Sequence, residues 1–226
     1  MNYCLKNHDR VTAVQEILIS LLPDEEHGAG EDGEELLVSE ASFEEDRVRC
    51  RTSVVRGGVR QDAECVEPYA GGAVERRRAL THAVKQSAYE ALLSFLPQKP
   101  AWGAMTGVKP AKPVRLALQE GLPPEQADSF LHGRYDVEPR RSTMAAQCAK
   151  ESIKCLEMLR CKEVQLYVGI PFCPAKCRYC SFVSNDVTRF GHLVEPYLAV
   201  LHEEITAAGR SLRQAGGVVG SLYIGG

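Results

Sequence analysis

Leu166-Tyr167-Val168-Gly169-Ile170-Pro171-Phe172-Cys173-Pro174-Ala175-Lys176-Cys177-Arg178-Tyr179-Cys180 is the stretch on which the reading of this chain turns. From Val164 to Ile170 it is mostly apolar and Pro171 ends the run, which predicts a strand. A short loop follows, with three cysteines spaced C-x3-C-x2-C. Residues 191–213 then place Val194, Tyr197, Leu198, Leu201, Ile205, Ala208 and Leu212 on one helical stripe, and Gly216-Gly217 breaks it. Val218 to Ile224 reads as a second apolar strand. Strand, loop, helix and strand in this order predict a parallel sheet covered by helices. The chain stops at Gly225-Gly226, directly after the second strand. Two strands and one helix leave sheet edges and faces uncovered, so the expectation is a fragment whose second domain is cut near its beginning.

Three thiolates on one short loop can grip three corners of a cubane iron–sulfur cluster. A fourth iron is then open and can chelate a small molecule through an amine and a carboxylate. An electron carrier of the ferredoxin type needs a fourth local thiolate, and none follows Cys180. A structural zinc site also needs four ligands, and His192, twelve residues on, is the available fourth. Unrelated core cysteines are the third reading. The other six, Cys4, Cys50, Cys65, Cys148, Cys155 and Cys161, are scattered. They read as small reduced core residues, with Cys148 and Cys155 sharing the buried face of a helix.

Upstream, Val11, Val14, Ile17, Leu18 and Leu21 form a helical stripe between Arg10 and Leu22, ended by Pro23. Leu36–Phe43, Arg47–Val55 and Val59–Val66 are short runs of strand character, with Gly57-Gly58 as a hairpin turn between the last two. A helix follows from about Glu75 to Leu96. This much predicts an α+β domain. Residues 101–141 hold Trp102, Pro110, Pro113, Pro123 and Pro124 and read as a connector with helical pieces. Ser142 is the expected N-cap of a helix to about Leu159, with Ala145, Cys148, Ser152, Cys155, Leu156 and Leu159 on its face.

The 226 residues carry 27 Lys+Arg against 30 Asp+Glu, a balance that excludes collagen-like, mucin-like and wholly disordered chains. Residues 1–46 hold 13 acids and 2 bases, and Asp24 to Asp46 reads as a solvated acidic loop in its first half. Arg76-Arg77-Arg78 and Arg140-Arg141 are basic clusters read as solvated helix ends. They lack the interleaved aromatics of a single-strand nucleic-acid binder. The longest strongly apolar run, Ile17 to Leu22, is too short to span a bilayer. The N-terminus lacks the plan of a secretory signal, and nine cysteines is an odd number. The expectation is a cytoplasmic protein with reduced thiols.

The stretch from Leu166 to Cys180, with Tyr179 before its last cysteine, resembles the radical S-adenosylmethionine (SAM) superfamily, and more narrowly the oxygen-independent coproporphyrinogen III oxidase group. Leu222-Tyr223-Ile224-Gly225-Gly226 resembles the strand leading into that group's Gly-Gly-Thr-Pro segment. Trp102-Gly103-Ala104-Met105-Thr106-Gly107-Val108-Lys109-Pro110 resembles the domain that precedes the barrel in the HemZ-type branch. Two positions depart from the pattern. Gly169 stands where the best-known oxidases and related haem chaperones carry His, and Phe182 where authentic oxidases carry a further Cys. The second departure moves the chain toward oxidase-like and chaperone members.

The resemblance implies an α/β chain in three parts. These are an N-terminal α+β domain over 1–100, a helical connector over 101–160, and the β-α-β start of a truncated radical SAM partial barrel over 161–226. It implies Cys173, Cys177 and Cys180 as ligands of a [4Fe–4S] cluster whose open iron takes the amino and carboxylate groups of SAM. Tyr179 is expected against the adenine, Tyr167 pointing from the strand end toward the site, and Gly225 and Gly226 facing the methionine portion. The implied activity is oxidative decarboxylation of porphyrinogen propionates to vinyls in haem biosynthesis, begun by a 5′-deoxyadenosyl radical. The implied partners are a small-molecule substrate of the porphyrinogen class and an electron donor such as flavodoxin or ferredoxin, with no membrane and no nucleic acid. A haem chaperone, a radical SAM enzyme acting on RNA with residues 1–95 as its RNA-binding part, and a free N-terminal binding module are the alternatives. This chain by itself is expected to be inactive.

Overall fold

The computed structural model describes residues 1–107 and 109–226; Val108, within the Trp102–Pro110 segment, lies outside them. The fold is mixed α/β and divides into two compact units, Met1–Ile153 and Lys154–Gly226.

The first unit opens with β1 (Asn2–Lys6), α1 (Val11–Leu21) and β2 (Gly28–Ala29). It continues with β3 (Leu36–Phe43), β4 (Arg47–Arg56), β5 (Val59–Pro68) and α2 (Ala73–Leu93). The strands form one mixed sheet in the order β2-β1-β3-β4-β5. β1 runs parallel to β2 and β3, and β3, β4 and β5 are antiparallel. Period-two alternation sends Leu37, Ser39 and Ala41, and Val48, Cys50, Thr52 and Val54, to the buried face. There α2 crosses β3, β4 and β5, and α1 packs beside α2. α2 buries Leu80, Val84, Ala88, Tyr89 and Leu92, and α1 buries Val14, Ile17 and Leu18. The two buried hydroxyls in this layer satisfy each other, Thr52 Oγ1 lying 2.8 Å from Ser87 Oγ. The opposite sheet face is charged, as in the Arg49–Glu64 and Arg60–Asp62 pairs. Gly57-Gly58 makes the two-residue turn between β4 and β5.

The acidic stretch is only partly solvated. Arg56 lies 2.7 Å from Glu25 and 3.3 Å from Glu35, which ties both ends of its first half to β4. The sequence pattern predicts neither β1 nor β2. β1 is short and its alternation is weak, and pairing with β3 makes it a strand.

A second core joins α3 (Ala111–Gln119), a 3-10 turn (Pro124–Gln126), α4 (Ala127–Tyr135) and α5 (Pro139–Glu157). Val114, Leu131, Val137, Ala145, Ala146 and Ala149 are fully or almost fully buried in it. Two expectations about α5 are corrected here. Ser142 is not its N-cap, because Pro139 fits the first helical position and starts the helix three residues earlier. The buried Ser142 hydroxyl instead accepts from the His132 backbone N–H at 3.3 Å. The buried face is Ser142, Ala145, Ala146 and Ala149, so Cys148 and Cys155 are exposed. Small residues face the core because α4 comes close.

The second unit holds β6 (Glu163–Gly169), β7 (Phe172–Cys173), β8 (Asn185–Asp186), α6 (Val187–Phe190), a 3-10 turn (Gly191–Leu193), α7 (Val194–Gln214) and β9 (Val218–Gly225). β6 and β9 pair in parallel, as the sequence predicts, with a register shift after Val164 that leaves Gly220 as the extra residue. Leu222, Tyr223 and Ile224 of β9 are exposed. No helix among the described residues is long and apolar enough to cross a membrane.

Candidate functional site

The three-cysteine loop leaves the C-terminal end of β6, and that end is held from three sides. The Ile170 N–H donates to the Gly225 carbonyl at 2.7 Å, which extends the β6–β9 pairing to the loop. The Tyr197 hydroxyl of α7 donates to the Gly169 carbonyl, and the Tyr197 ring meets Phe172 edge-on at 5.4 Å. A Cβ on Gly226 would overlap the Ile170 carbonyl oxygen, so the two backbones approach as only glycine allows.

The loop closes on itself. β7 pairs in parallel with β8, setting Phe172 opposite Asn185 and Cys173 opposite Asp186, and the Asn185 N–H donates to the Pro171 carbonyl at 2.7 Å. Asp186 then caps α6, its carboxylate accepting from Thr188 Oγ1 at 2.7 Å and from Thr188 N at 2.8 Å. These bonds hold the Asp186 carboxyl below its ordinary range. Between the closing strands, the Cys180 N–H donates to the Cys177 carbonyl at 3.0 Å, so the last two cysteines share one turn. Cys173 and Cys180 are half-buried and Cys177 is exposed, all as free thiols. Residues 174–184 contain no carboxylate and no imidazole, so sulfur is the only strong ligand type the loop offers. Among the described residues, the three thiols do not form a group with all ligand atoms within 4.8 Å.

The other residues singled out from the sequence sit at the same strand end or on the loop. Tyr167 is 61% exposed and stacks on Tyr223. A Cβ on Gly225 would come 2.7 Å from the Tyr223 ring and 3.5 Å from the Tyr167 hydroxyl. Tyr179, on the loop, is 89% exposed. Lys176 and Arg178 are exposed. The Tyr197 latch was not singled out, because Tyr197 reads as one more member of an amphipathic face. The β7–β8 clasp is too short for any periodic signal.

Three scattered thiols correct the expectation of burial. Cys50 is buried and Cys4 and Cys65 are half-buried, but Cys148, Cys155 and Cys161 are exposed. The basic clusters are partly engaged. Arg76 lies over the Phe43 ring at 4.2 Å and Arg141 over Trp102 at 5.2 Å. Arg77 and Arg78 line a cleft of about 930 Å3 in the first unit.

That unit also holds a cluster the sequence reading did not assemble. Cys65 and Glu67 of β5 and His82 of α2 place their ligand atoms within 4.8 Å of one another. Burial, with the Glu67 carboxylate second, pushes the Cys65 thiol up to about 12. For Glu67, burial acts upward, but His82 and Arg134 together outweigh it and hold the carboxyl below its ordinary range.

No protein-family profile matches the chain. Over 127 residues it is 32% identical to the oxygen-independent coproporphyrinogen-III oxidase-like protein HemZ of Bacillus subtilis (strain 168). The match takes in 55% of this chain and spans 25% of that relative's length. Among solved structures, a Caulobacter crescentus chain described as a lipoprotein is 15% identical, with a TM-score of 0.26, over 41% of this chain and 82% of that one. A Vibrio cholerae protein is 14% identical, also with a TM-score of 0.26, over 69% and 95%.

Proposed function

We propose that the second unit is the cluster- and SAM-binding start of a radical SAM partial barrel, in a protein of the oxygen-independent coproporphyrinogen III oxidase-like group. The observation that carries this is the self-closed loop Cys173-x3-Cys177-x2-Cys180 at the C-terminal end of a parallel strand pair. Ligands in open α/β sheets bind beyond such strand ends. The likeness to HemZ supports the branch.

The donor set fits a [4Fe–4S] cluster. A single tetrahedral zinc would draw its sulfurs to about 3.8 Å from one another, given Zn–S bonds of about 2.3 Å. Three thiols on one loop that offers no carboxylate or imidazole suit one thiolate on each of three irons. When bound, the reduced cluster supplies the electron that splits SAM and starts radical chemistry. The chain's own part is binding, orientation and exclusion of water. Cys173, Cys177 and Cys180 hold the cluster, with Cys177 and Cys180 set by their shared turn and Cys173 by the clasp to Asp186. Gly225 and Gly226 leave the strand end bare for the methionine portion of SAM. Tyr179 supplies a ring for the adenine, and Tyr167 borders the same strand end. Lys176 and Arg178 are exposed and put positive charge on the loop that holds the anionic cluster, and the electron donor is of the flavodoxin or ferredoxin kind.

The substrate assigned is a porphyrinogen propionate, decarboxylated to a vinyl. A haem chaperone is the second reading, favoured by Phe182 in place of a further loop cysteine. One experiment tests both. The chain is reconstituted anaerobically with iron and sulfide and reduced, and its electron paramagnetic resonance spectrum is recorded with and without SAM. Binding of coproporphyrinogen III and of haem is then titrated. SAM must change the spectrum. An unchanged spectrum contradicts SAM binding, and tight binding of haem alone selects the chaperone reading.

A further inference from the structure

We propose that Cys65, Glu67 and His82 hold one divalent metal ion of the zinc class, with a fourth position open to the adjoining cleft. The site lies wholly within the first unit and is independent of the three-cysteine loop.

The pleat of β5 brings Cys65 and Glu67, two residues apart, to the face that α2 covers. His82 meets them from α2, and all three ligand atoms lie within 4.8 Å of one another. A thiol, a carboxylate and an imidazole are zinc-type donors. Magnesium and calcium take oxygen alone. Three protein ligands with one open position is the arrangement of reactive rather than structural zinc.

The hydrogen bonding of His82 points the same way. Its side chain is only 10% exposed. Nε2 lies 3.2 Å from the Arg134 carbonyl oxygen, which can only accept, so Nε2 carries the hydrogen. Nδ1, which is buried, sits 3.0 Å from Glu67 Oε1. A cation between these two atoms binds both, and the metal ion takes that place. A ring nitrogen tied to a backbone carbonyl while the other faces the ion is the usual way a metal-binding histidine is oriented. Arg134 takes the other carboxylate oxygen, Oε2, at 2.8 Å, and leaves Oε1 for the ion.

A second buried polar atom supports the assignment. Gln86 lies one helical turn beyond His82 on the same face of α2. Its Oε1 is buried without a partner, while its amide donates to Glu90 at 2.8 Å. Both side chains line one cleft of about 590 Å3, with Cys65, Glu67 and Arg134. Buried polar atoms are almost always paired, and an ion here with a water in its open position would supply partners to both.

The loop thiols would compete for added metal, so the test uses the full chain carrying Cys173→Ser, Cys177→Ser and Cys180→Ser, titrated with Co2+. The expected result is one bound ion per chain, with a thiolate-to-cobalt charge-transfer band and the visible bands of a four-coordinate site, displaced by Zn2+. Adding Cys65→Ser must remove the charge-transfer band, and adding His82→Gln must weaken binding at least tenfold. Glu67→Gln keeps an acceptor for Arg134 and serves if another variant fails to fold. Independently, Zn2+ must raise the urea midpoint of the loop variant, read by the fluorescence of Trp102. Failure of the loop variant to bind Co2+ overturns the proposal, as does a spectrum unchanged by Cys65→Ser or a midpoint indifferent to Zn2+. Those results leave a plain His82–Glu67–Arg134 ion-pair network.

Discussion

Tyr167 and Tyr223 stack face to face across the β6–β9 pair, ring centroids 5.5 Å apart and planes inclined by 15°. They occupy directly paired positions of the two strands. Both rings are more than 60% exposed, so the value of the stack lies in the pair contact rather than in burial. A double-mutant cycle with Tyr167→Ala and Tyr223→Ala should show about 0.5–1 kcal/mol of coupling. The readout is urea unfolding followed through the β6–β9 amide resonances. Additive losses would remove the stack from the account of this strand end.

The Asp136 carboxylate links α2 to the end of α4. It accepts from Tyr89 Oη at 2.8 Å and lies 2.5 Å from Lys99 Nζ. Burial acts to raise its pKa, but Lys99 and Tyr89 together outweigh it and hold the carboxyl below its ordinary range. A depressed carboxyl stabilises the fold above its unfolded pKa of about 4, and that share is lost as pH falls through the folded value. The Trp102-monitored unfolding midpoint should therefore drop below about pH 4. Asp136 is left-handed, with φ of 58°, a conformation Asn also tolerates. Asp136→Asn should flatten the acid decline without disturbing the backbone. An unchanged acid profile contradicts this role.

Gly103 has φ of 54°, and a Cβ there would overlap the Tyr135 carbonyl oxygen. The next residue, Ala104, donates its N–H to that same carbonyl at 2.8 Å. Gly103→Ala therefore combines a disfavoured backbone with a clash and the loss of a turn-to-helix bond. It should cost about 2 kcal/mol or more in urea unfolding read by Trp102. A loss below about 0.5 kcal/mol would show that this turn adjusts freely.

Brief alkylation of the native chain, read by mass spectrometry, should label Cys148, Cys155, Cys161 and Cys177 first and Cys50 last. Their exposures order them so. Rapid labelling of Cys50 would mean that the β4 face is not packed against α2.

Where local pattern and tertiary packing agree, the sequence was easy to read. β3, β4, β5, α1, α2 and the parallel β6–β9 pair fall within a few residues of their expected bounds. Alternation and helical stripes survive in the chain whatever surrounds it. The core face of α5 is Ser and Ala, which carry little apolar signal, while Cys148, Cys155 and Leu156 put the stronger apolar signal on the exposed side. β1 became a strand only through its partners. For the cysteine loop, spacing alone marked the residues. The clasp to Asp186 and the Tyr197 latch are contacts across 13 and 28 positions, beyond any local pattern. The Cys65–Glu67–His82 cluster needs a strand and a helix brought face to face, so single-residue reading left Cys65 as an ordinary core thiol.

Cys173, Cys177 and Cys180 are proposed to hold an iron–sulfur cluster. The direct measurement is anaerobic reconstitution with iron and sulfide, followed by iron and sulfide analysis and the visible spectrum. The account predicts about four irons per chain and a chromophore that air bleaches. Each of Cys173→Ala, Cys177→Ala and Cys180→Ala should abolish that chromophore, whereas Cys148→Ala and Cys155→Ala should leave it intact. A chromophore that survives loss of the loop cysteines, or that all five substitutions diminish equally, would contradict the account.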